Sequence, residues 1–428
     1  MGRGPPLDYK PEDLRVIIPV GGVAKRLMPL TATTSKACIR LVNMPLIEIA
    51  MLGLARQGVR NFIFGVKGYR NFRDLFDYFQ DGLGFSAKYG FSPRVHIKYQ
   101  PNEEDCGSAD SARIVLDYYD IKDPVFGVQG DNIFDIDLRD LLEFHEGKGG
   151  IATICLKEVE DVGGYGVAEV DGDMRIHRFV EKPPKDEAPS NLANTGLYLF
   201  SPKIREAMRS DWIERRISGR ERLDFGYDFI PHLIGSGHGV YGYVIERGWY
   251  DVGSPERYLE AMYDILSGRL ECLKDFEGRI SPSERVWIQG QSPESLARRR
   301  GIVEMIKEGK IEVEEPVLIG RHCQIEEGVR ISNSCIDNYT RVGKGAVIED
   351  SAVMDRVRIG EDANINRSII GRHVTVDSSP SKPTRIHSVS VVGDDVWIDA
   401  GCVLMGAKVS PHLRLKEFDY EGEISSVP

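Results

Sequence analysis

The sequence predicts an α/β domain with a mostly parallel, Rossmann-like sheet, followed by a C-terminal left-handed parallel β-helix. Two periodicities and the chain length carry this reading. Over residues 14–265 short apolar runs alternate with stretches of helical spacing, the pattern of a parallel sheet with helices on both faces. From Ile311 onward aliphatic residues recur in steps of six, with a five at two corners, a period that suits neither a helix nor a hairpin strand. A chain of 428 residues is too long for one ordinary core, and 41% hydrophobic with 28% charged residues is the balance of a soluble globular protein.

Taken in order, the first apolar run is Val16 to Val20, followed at once by Gly21 and Gly22. A glycine-bounded run reads as a buried strand whose loop lets backbone N–H groups approach a ligand closely. Lys25, Arg26 and, ten residues beyond Arg26, Lys36 place cations where a phosphate chain would lie. Pro45 to Ala55 and Ala109 to Tyr119 have helical spacing, while Asn61 to Val66, Val95 to Tyr99 and Pro124 to Gln129 read as strands. Such sheets bind ligands at the carboxyl ends of their strands, where Gly21, Gly22, Gln100, Gly107, Ser108 and Asp131 fall. Neither the Walker pattern nor the dinucleotide G-x-G-x-x-G is present.

The stretch Gly21-Gly22-Val23-Ala24-Lys25-Arg26-Leu27-Met28-Pro29-Leu30-Thr31, with Ser35-Lys36-Ala37 behind it, resembles the signature of sugar-1-phosphate nucleotidyltransferases. That signature runs G-G-x-G-T-R-L-x-P-L-T and continues to P-K-P; Ala24, Lys25, Ser35 and Ala37 depart from it. The resemblance continues in order along the chain. Gln100-Pro101 with Cys106-Gly107-Ser108-Ala109 is similar to the family's base-reading loop, and a Gln amide suits a base edge. Gly130-Asp131 ends an apolar run, and a carboxylate there is a good hard-oxygen ligand for Mg²⁺. Tyr165-Gly166-Val167, then HRFVEKP, then Asn194-Thr195-Gly196 resemble the sugar site, with Gly166, Glu181, Lys182 and Asn194 holding the sugar phosphate. Gly248-Trp249-Tyr250-Asp251 supplies the second metal carboxylate, Asp251. The resemblance implies Arg26, Lys36 and Asp131 as catalytic, and Gly21, Gly22, Lys25, Gln100, Gly107 and Ser108 as nucleotide-binding.

Residues 266–310 are charged and read as a helical linker between a catalytic domain over 14–265 and the β-helix over 311–428. The hexad aliphatics are Val313, Ile319, Ile325 and Ile331, then Ile336, Val342, Ile348, Val353, Ile359 and Ile365, and after a break Val392, Ile398 and Leu404. Roughly 18 residues per coil predicts about five coils. Asp377 to Ser390, rich in Pro and Ser, reads as an excursion loop. Flat faces and an open end coil invite subunit contacts, so a homo-oligomer through the β-helix is expected.

A net charge of −11 argues against nucleic acid, no apolar run reaches membrane length, and the N-terminus lacks a signal-peptide core. Seven cysteines without C-x-x-C spacing read as reduced thiols, and a cytoplasmic protein is expected. The resemblance implies that an NTP and a sugar 1-phosphate give an NDP-sugar and pyrophosphate with Mg²⁺. R-I-H-R-F-V-E-K-P, N-T-G-L-Y-L-F-S-P and the Trp ahead of Asp251 look most like mannose-1-phosphate guanylyltransferases, hence GTP and mannose 1-phosphate. Three alternatives stand beside it: a glucose-1-phosphate uridylyl- or thymidylyltransferase, a non-catalytic nucleotide-sugar-binding regulatory subunit, and a bifunctional enzyme whose β-helix transfers acyl groups through His322, His373 or His387.

Overall fold

The computed structural model describes residues 9–22, 24–274 and 276–426. The chain divides into two units, Met1–Gly22 with Ala50–Asp251, and Val23–Ile49 with Val252–Pro428. The division does not follow chain order, because the segment that begins just after the glycine pair groups with the C-terminal half.

The first unit is built on a nine-stranded sheet. Its parallel half comprises β1 (Arg15–Val20), β2 (Asn61–Val66), β3 (His96–Pro101) and β4 (Val125–Val128), in the order β3-β2-β1-β4. Val16, Ile17, Phe62 and Phe126 are fully buried, as strands covered on both faces require. A separate two-stranded ribbon pairs β5 (Asn132–Phe134) with a later strand described below. The other half of the large sheet is β6 (Ala152–Glu158), β7 (Gly166–Val170), β8 (Ile176–Glu181), β9 (Leu192–Phe200) and β10 (Val240–Val244). There β9 runs antiparallel to β4, β6 and β7. The partner of β5 is β11 (Trp249–Asp251), antiparallel to it. Helices of this part of the chain include α1 (Leu46–Arg56), whose residues fall on both sides of the division at Ala50, α2 (Ser108–Tyr118) and α3 (Leu138–Lys148). Asp137 caps α3 by accepting from the Arg139 and Asp140 amides, and Gly149 ends it at φ 61°.

The second unit is a three-faced parallel β-helix with two helices, α4 (Pro255–Leu266) and α5 (Pro293–Lys307), and the segment Val23–Ile49. One face is the ladder Gln324–Arg341–Arg358–Thr375–Trp397–Arg414, with Ile325, Val342, Ile359, Val376, Ile398 and Leu415 turned into the core. That makes six rungs, and the coil repeat is 17 residues, set by two steps of six and one of five. The corners explain the spacing. His322, Tyr339, Arg356, His373, Asp395 and His412 occupy one corner with φ between 57° and 63°, so each coil turns through a left-handed residue. Buried serines form a second ladder: Ser351 N–H donates to Ser334 Oγ and Ser368 N–H to Ser351 Oγ, both at 3.0 Å.

Two segments differ from expectation. Residues 266–310 are not helical throughout: Val286–Ile288 is a strand parallel to Val317–Ile319 and forms an early rung. Within Asp377–Ser390, Arg385–His387 stays in the ladder, and the excursion shrinks to the residues between Val376 and Arg385. None of the seven cysteines is joined in a disulfide. Among the described residues no helix is long and apolar enough to cross a membrane.

Candidate active site

In the first unit the parallel strands end together, as register demands: Val20 pairs with Val66, and Gly65 with Gln100. Gly21 and Gly22 follow β1, Gln100 lies near the end of β3, and Gly130-Asp131 follow β4. Gly22 holds φ 90°, a conformation that an L side chain would strain. Beside Gly21 stands Lys67, whose ammonium donates to Asp105 O at 2.6 Å and to Asp105 Oδ1 at 3.2 Å. Burial pushes the Asp105 carboxyl up despite that lysine.

The ribbon of β5 and β11 places Asp251 opposite Asn132, so Asp131 is one residue beyond the paired position. Residues 120 apart in sequence thus reach one sheet terminus, and two carboxylates are a donor set suited to a hard divalent cation. Among the described residues no group of three or more His, Cys, Asp or Glu gathers as a metal site. The ribbon is anchored from both sides: Asn132 Nδ2 and Trp249 Nε1 both donate to Thr195 O, at 2.6 and 3.1 Å. Lys157 Nζ donates to the carbonyls of Ile245, Glu246 and Arg247 at 3.0–3.1 Å, fixing the loop that leads into β11.

Glu181 ends β8 directly opposite Gly166. Its carboxylate is wedged between two glycines: a Cβ at Gly166 or Gly226 would come within 2.4 or 2.2 Å of Glu181 Oε2. That oxygen is buried with no hydrogen-bond partner, while Oε1 lies 3.7 Å from Lys182 Nζ. Burial raises the Glu181 carboxyl above its ordinary range, opposed by Lys182 and reinforced by Asp224. A buried carboxylate with a spare acceptor is costly unless donors arrive, and sugar hydroxyls are such donors. Asn194 Nδ2 donates to Tyr198 Oη at 3.0 Å, and its Oδ1 accepts from Gly196 N–H, which sets the amide's orientation. Lys182 has φ 50° and its ammonium lies 5.5 Å from the Tyr227 ring centroid.

Gly107 and Ser108 begin α2, and here the structure adds a residue that no sequence motif marks. Asp224 Oδ1 accepts from Ser108 N–H at 2.9 Å and from Ser108 Oγ at 3.1 Å, so the serine hydroxyl is engaged within the chain.

Lys25, Arg26 and Lys36 belong to the second unit. Lys25 and Arg26 are exposed in a short 3-10 turn, Lys25–Leu27, above buried Leu27 and Leu30. Thr31 Oγ1 donates to Ala24 O at 3.2 Å, closing the turn that presents them. Lys36 opens a second 3-10 turn, Lys36–Cys38. Arg40 Nε and Nη2 donate to the Asp337 carboxylate, and Thr33 Oγ1 donates to Asp394 Oδ2 at 2.8 Å. Asn43 Nδ2 donates to Gln289 Oε1 at 3.1 Å, and Tyr258 Oη to Arg40 O. Of the β-helix histidines, His322 stacks on Tyr339, His373 Nδ1 lies 3.5 Å from Asp395, and burial holds His387 below its ordinary range.

Comparison with known proteins agrees with this architecture. The mannose-1-phosphate guanylyltransferase catalytic subunit beta of Danio rerio is 28% identical over 420 residues, covering 94% of this chain and 98% of its own length. Mannose-1-phosphate guanylyltransferase 1 of Arabidopsis thaliana is 27% identical, covering 96% and 99%. A UTP–glucose-1-phosphate uridylyltransferase of Synechocystis is 29% identical over 345 residues, covering 77% and 84%. A crystal structure from Bacillus anthracis, described as a glucose-1-phosphate thymidylyltransferase with a sucrose, covers 62% of this chain and 97% of its own at TM-score 0.50. At 22% identity it speaks for the fold alone. A GMPPB C-terminal domain model matches residues 313–425. Nucleotidyltransferases of this kind typically use a divalent metal. The nucleotidyl transferase model matches residues 15–268, more than half of the chain, and the protein belongs to the nucleotidyl transferase family.

Proposed function

We propose that this nucleotidyltransferase makes an NDP-sugar and pyrophosphate from an NTP and a sugar 1-phosphate, with GTP and mannose 1-phosphate as the pair. The observation that carries the reaction class is the ribbon register that brings Asp251 opposite Asn132, beside Asp131. Full-length similarity to guanylyltransferases from Danio rerio and Arabidopsis thaliana supports the substrate pair. In this reading Asp131 and Asp251 hold Mg²⁺, which when bound offsets negative charge on the phosphates. Arg26, Lys36 and Lys25 supply positive charge to the triphosphate, and the N–H groups of Gly21 and Gly22 donate to it. Gln100 and the Gly107-Ser108 loop meet the base. Glu181 accepts sugar hydroxyls, Lys182 meets the sugar phosphate, and Asn194 and Gly166 complete that wall.

A phosphate oxygen of the sugar 1-phosphate attacks the α-phosphorus in line, and pyrophosphate leaves. No protein nucleophile is needed, because positioning and charge neutralisation carry the rate. The enzyme works in the cytoplasm as a homo-oligomer built through β-helix faces. Pyrophosphate release from each NTP with each sugar 1-phosphate tests the assignment. The expected result is fastest release with GTP and mannose 1-phosphate. Fastest release with UTP or dTTP and glucose 1-phosphate would move the substrate pair, and no release with any pair would leave a nucleotide-sugar-binding regulatory subunit.

A further inference from the structure

A groove of about 600 Å³ lies in the second unit between the start of α5 and the β-helix, and none of the residues given nucleotide, sugar-phosphate or metal roles above lines it. Ser292, the N-cap of α5, and Arg298 within it line one side; Gln324, Arg341, Arg356 and Arg358 line it from the coils. Gln324, Arg341 and Arg358 are successive rungs of one ladder, so the two arginines stand side by side on neighbouring parallel strands. Strand spacing is about 4.8 Å, and like charges directly adjacent across a sheet cost stability. Among the described residues neither Arg341 nor Arg358 has an ion-pair partner. Arg298 has its Nε buried and unpartnered, with Glu294 3.5 Å from its other end. Arg356 is engaged by Asp355 at 3.0 Å. The lining thus carries four guanidinium groups against one carboxylate, in a chain whose net charge is −11. The positive end of the 15-residue helix α5 adds to the same field.

We propose that this groove binds a small phosphoanion carrying two or more negative charges, at a site separate from the nucleotidyl-transfer centre. The doubled charge follows from Arg341 and Arg358, each able to clamp phosphate oxygens through two N–H groups. Recognition is by charge and not by base stacking. Tyr339, the aromatic ring in the groove, is already covered by His322 at 4.8 Å centroid separation and by Arg356 at 5.5 Å, from successive coils. Gln324 adds an amide donor that suits an oxyanion.

Calorimetric titration of the full chain with inorganic tripolyphosphate tests this, comparing the natural protein with R341Q/R358Q and with R26A. The expected result is two classes of site in the natural protein. The R341Q/R358Q protein should lose one class or weaken it at least 10-fold, and R26A should retain that class. Rising salt should weaken the groove class steeply, as charge-driven binding requires. Unliganded R341Q/R358Q should melt no lower than the natural protein, since it removes a repulsion, and tripolyphosphate should raise its melting temperature less. Titration of R341Q/R358Q indistinguishable from the natural protein would overturn the site, as would a single class that only R26A abolishes. Neither of those results would touch the nucleotidyl-transfer reading.

Discussion

The Arg40 guanidinium grips the Asp337 carboxylate through two nitrogens, tying residues 297 apart in sequence within one unit. Asp337 is almost fully enclosed, its side chain 3% exposed against 20% for Arg40. Removing one partner of such a pair strands a buried charge, typically a loss of about 3–5 kcal/mol. Asp337→Ala should therefore unfold at markedly lower denaturant and slow pyrophosphate release, because Arg26 and Lys36 ride on the segment that Arg40 anchors. The double variant with Arg40→Met should recover part of the loss, and a coupling energy near zero in that cycle would sink the account.

A chain ending at Lys310 would keep the nine-stranded sheet but lose Asp337 and Asp394, the partners of Arg40 and Thr33. We expect such a truncation to retain β-sheet circular dichroism and to lose nucleotidyl transfer. Full activity in the truncated protein would show that the segment Val23–Ile49 orders itself without the β-helix.

Asp131→Asn and Asp251→Asn should each raise the Mg²⁺ concentration for half-maximal rate and lower turnover sharply. The double variant should lose much less than the product of the single losses, as for groups that act on one ion. A Mg²⁺ midpoint unmoved by either single change means that the residue is not a ligand.

Glu181→Gln separates binding from stability. Its buried carboxylate oxygen lacks a partner and its carboxyl is pushed up by burial, so neutralising it relieves a folding cost. The variant should melt at the same or a higher temperature while the KM for the sugar 1-phosphate rises roughly 10-fold or more. A lower melting temperature with unchanged KM would make Glu181 a structural residue.

His145 is 2% exposed, its Nδ1 lies 2.8 Å from Thr153 Oγ1, and burial lowers its pKa to about 4. The unfolded chain takes up that proton near pH 6.5, so it binds more protons than the folded chain between pH 6.5 and 4. Stability is then complete above pH 6.5 and falls as pH drops through that window, by about 3 kcal/mol at pH 4. His145→Gln should flatten this part of the stability–pH curve measured by urea unfolding, and an unchanged slope would exclude His145 as its source.

Much of this architecture is legible one residue at a time. Ile336, Val342, Ile348, Val353, Ile359 and Ile365 all enter the core, because each coil admits one inward aliphatic per face. The apolar runs of β1 and β2 are equally plain, since strands covered on both sides tolerate little else. The rest depends on distant pairing. Asp224 matters because folding carries it to Ser108, and Thr195 because its carbonyl receives both Asn132 and Trp249. Neither signal lies in local spacing. Val286–Ile288 is too short, in too charged a neighbourhood, to stand out as a strand until Val317–Ile319 pairs with it. Arg40 in isolation is only one more surface cation, and Asp337 gives it a role.

The Arg40–Asp337 clamp also sets a timetable. Arg40 leaves the ribosome 297 residues before its partner, roughly 15 to 60 s at ordinary rates of synthesis. During that interval the sheet of the first unit can form, yet the segment bearing Lys25, Arg26 and Lys36 has no β-helix to rest on. Until its last third has been made, the nascent chain lacks the carboxylate that fixes this segment, and a prematurely terminated product keeps Lys25, Arg26 and Lys36 without the anchor of Arg40.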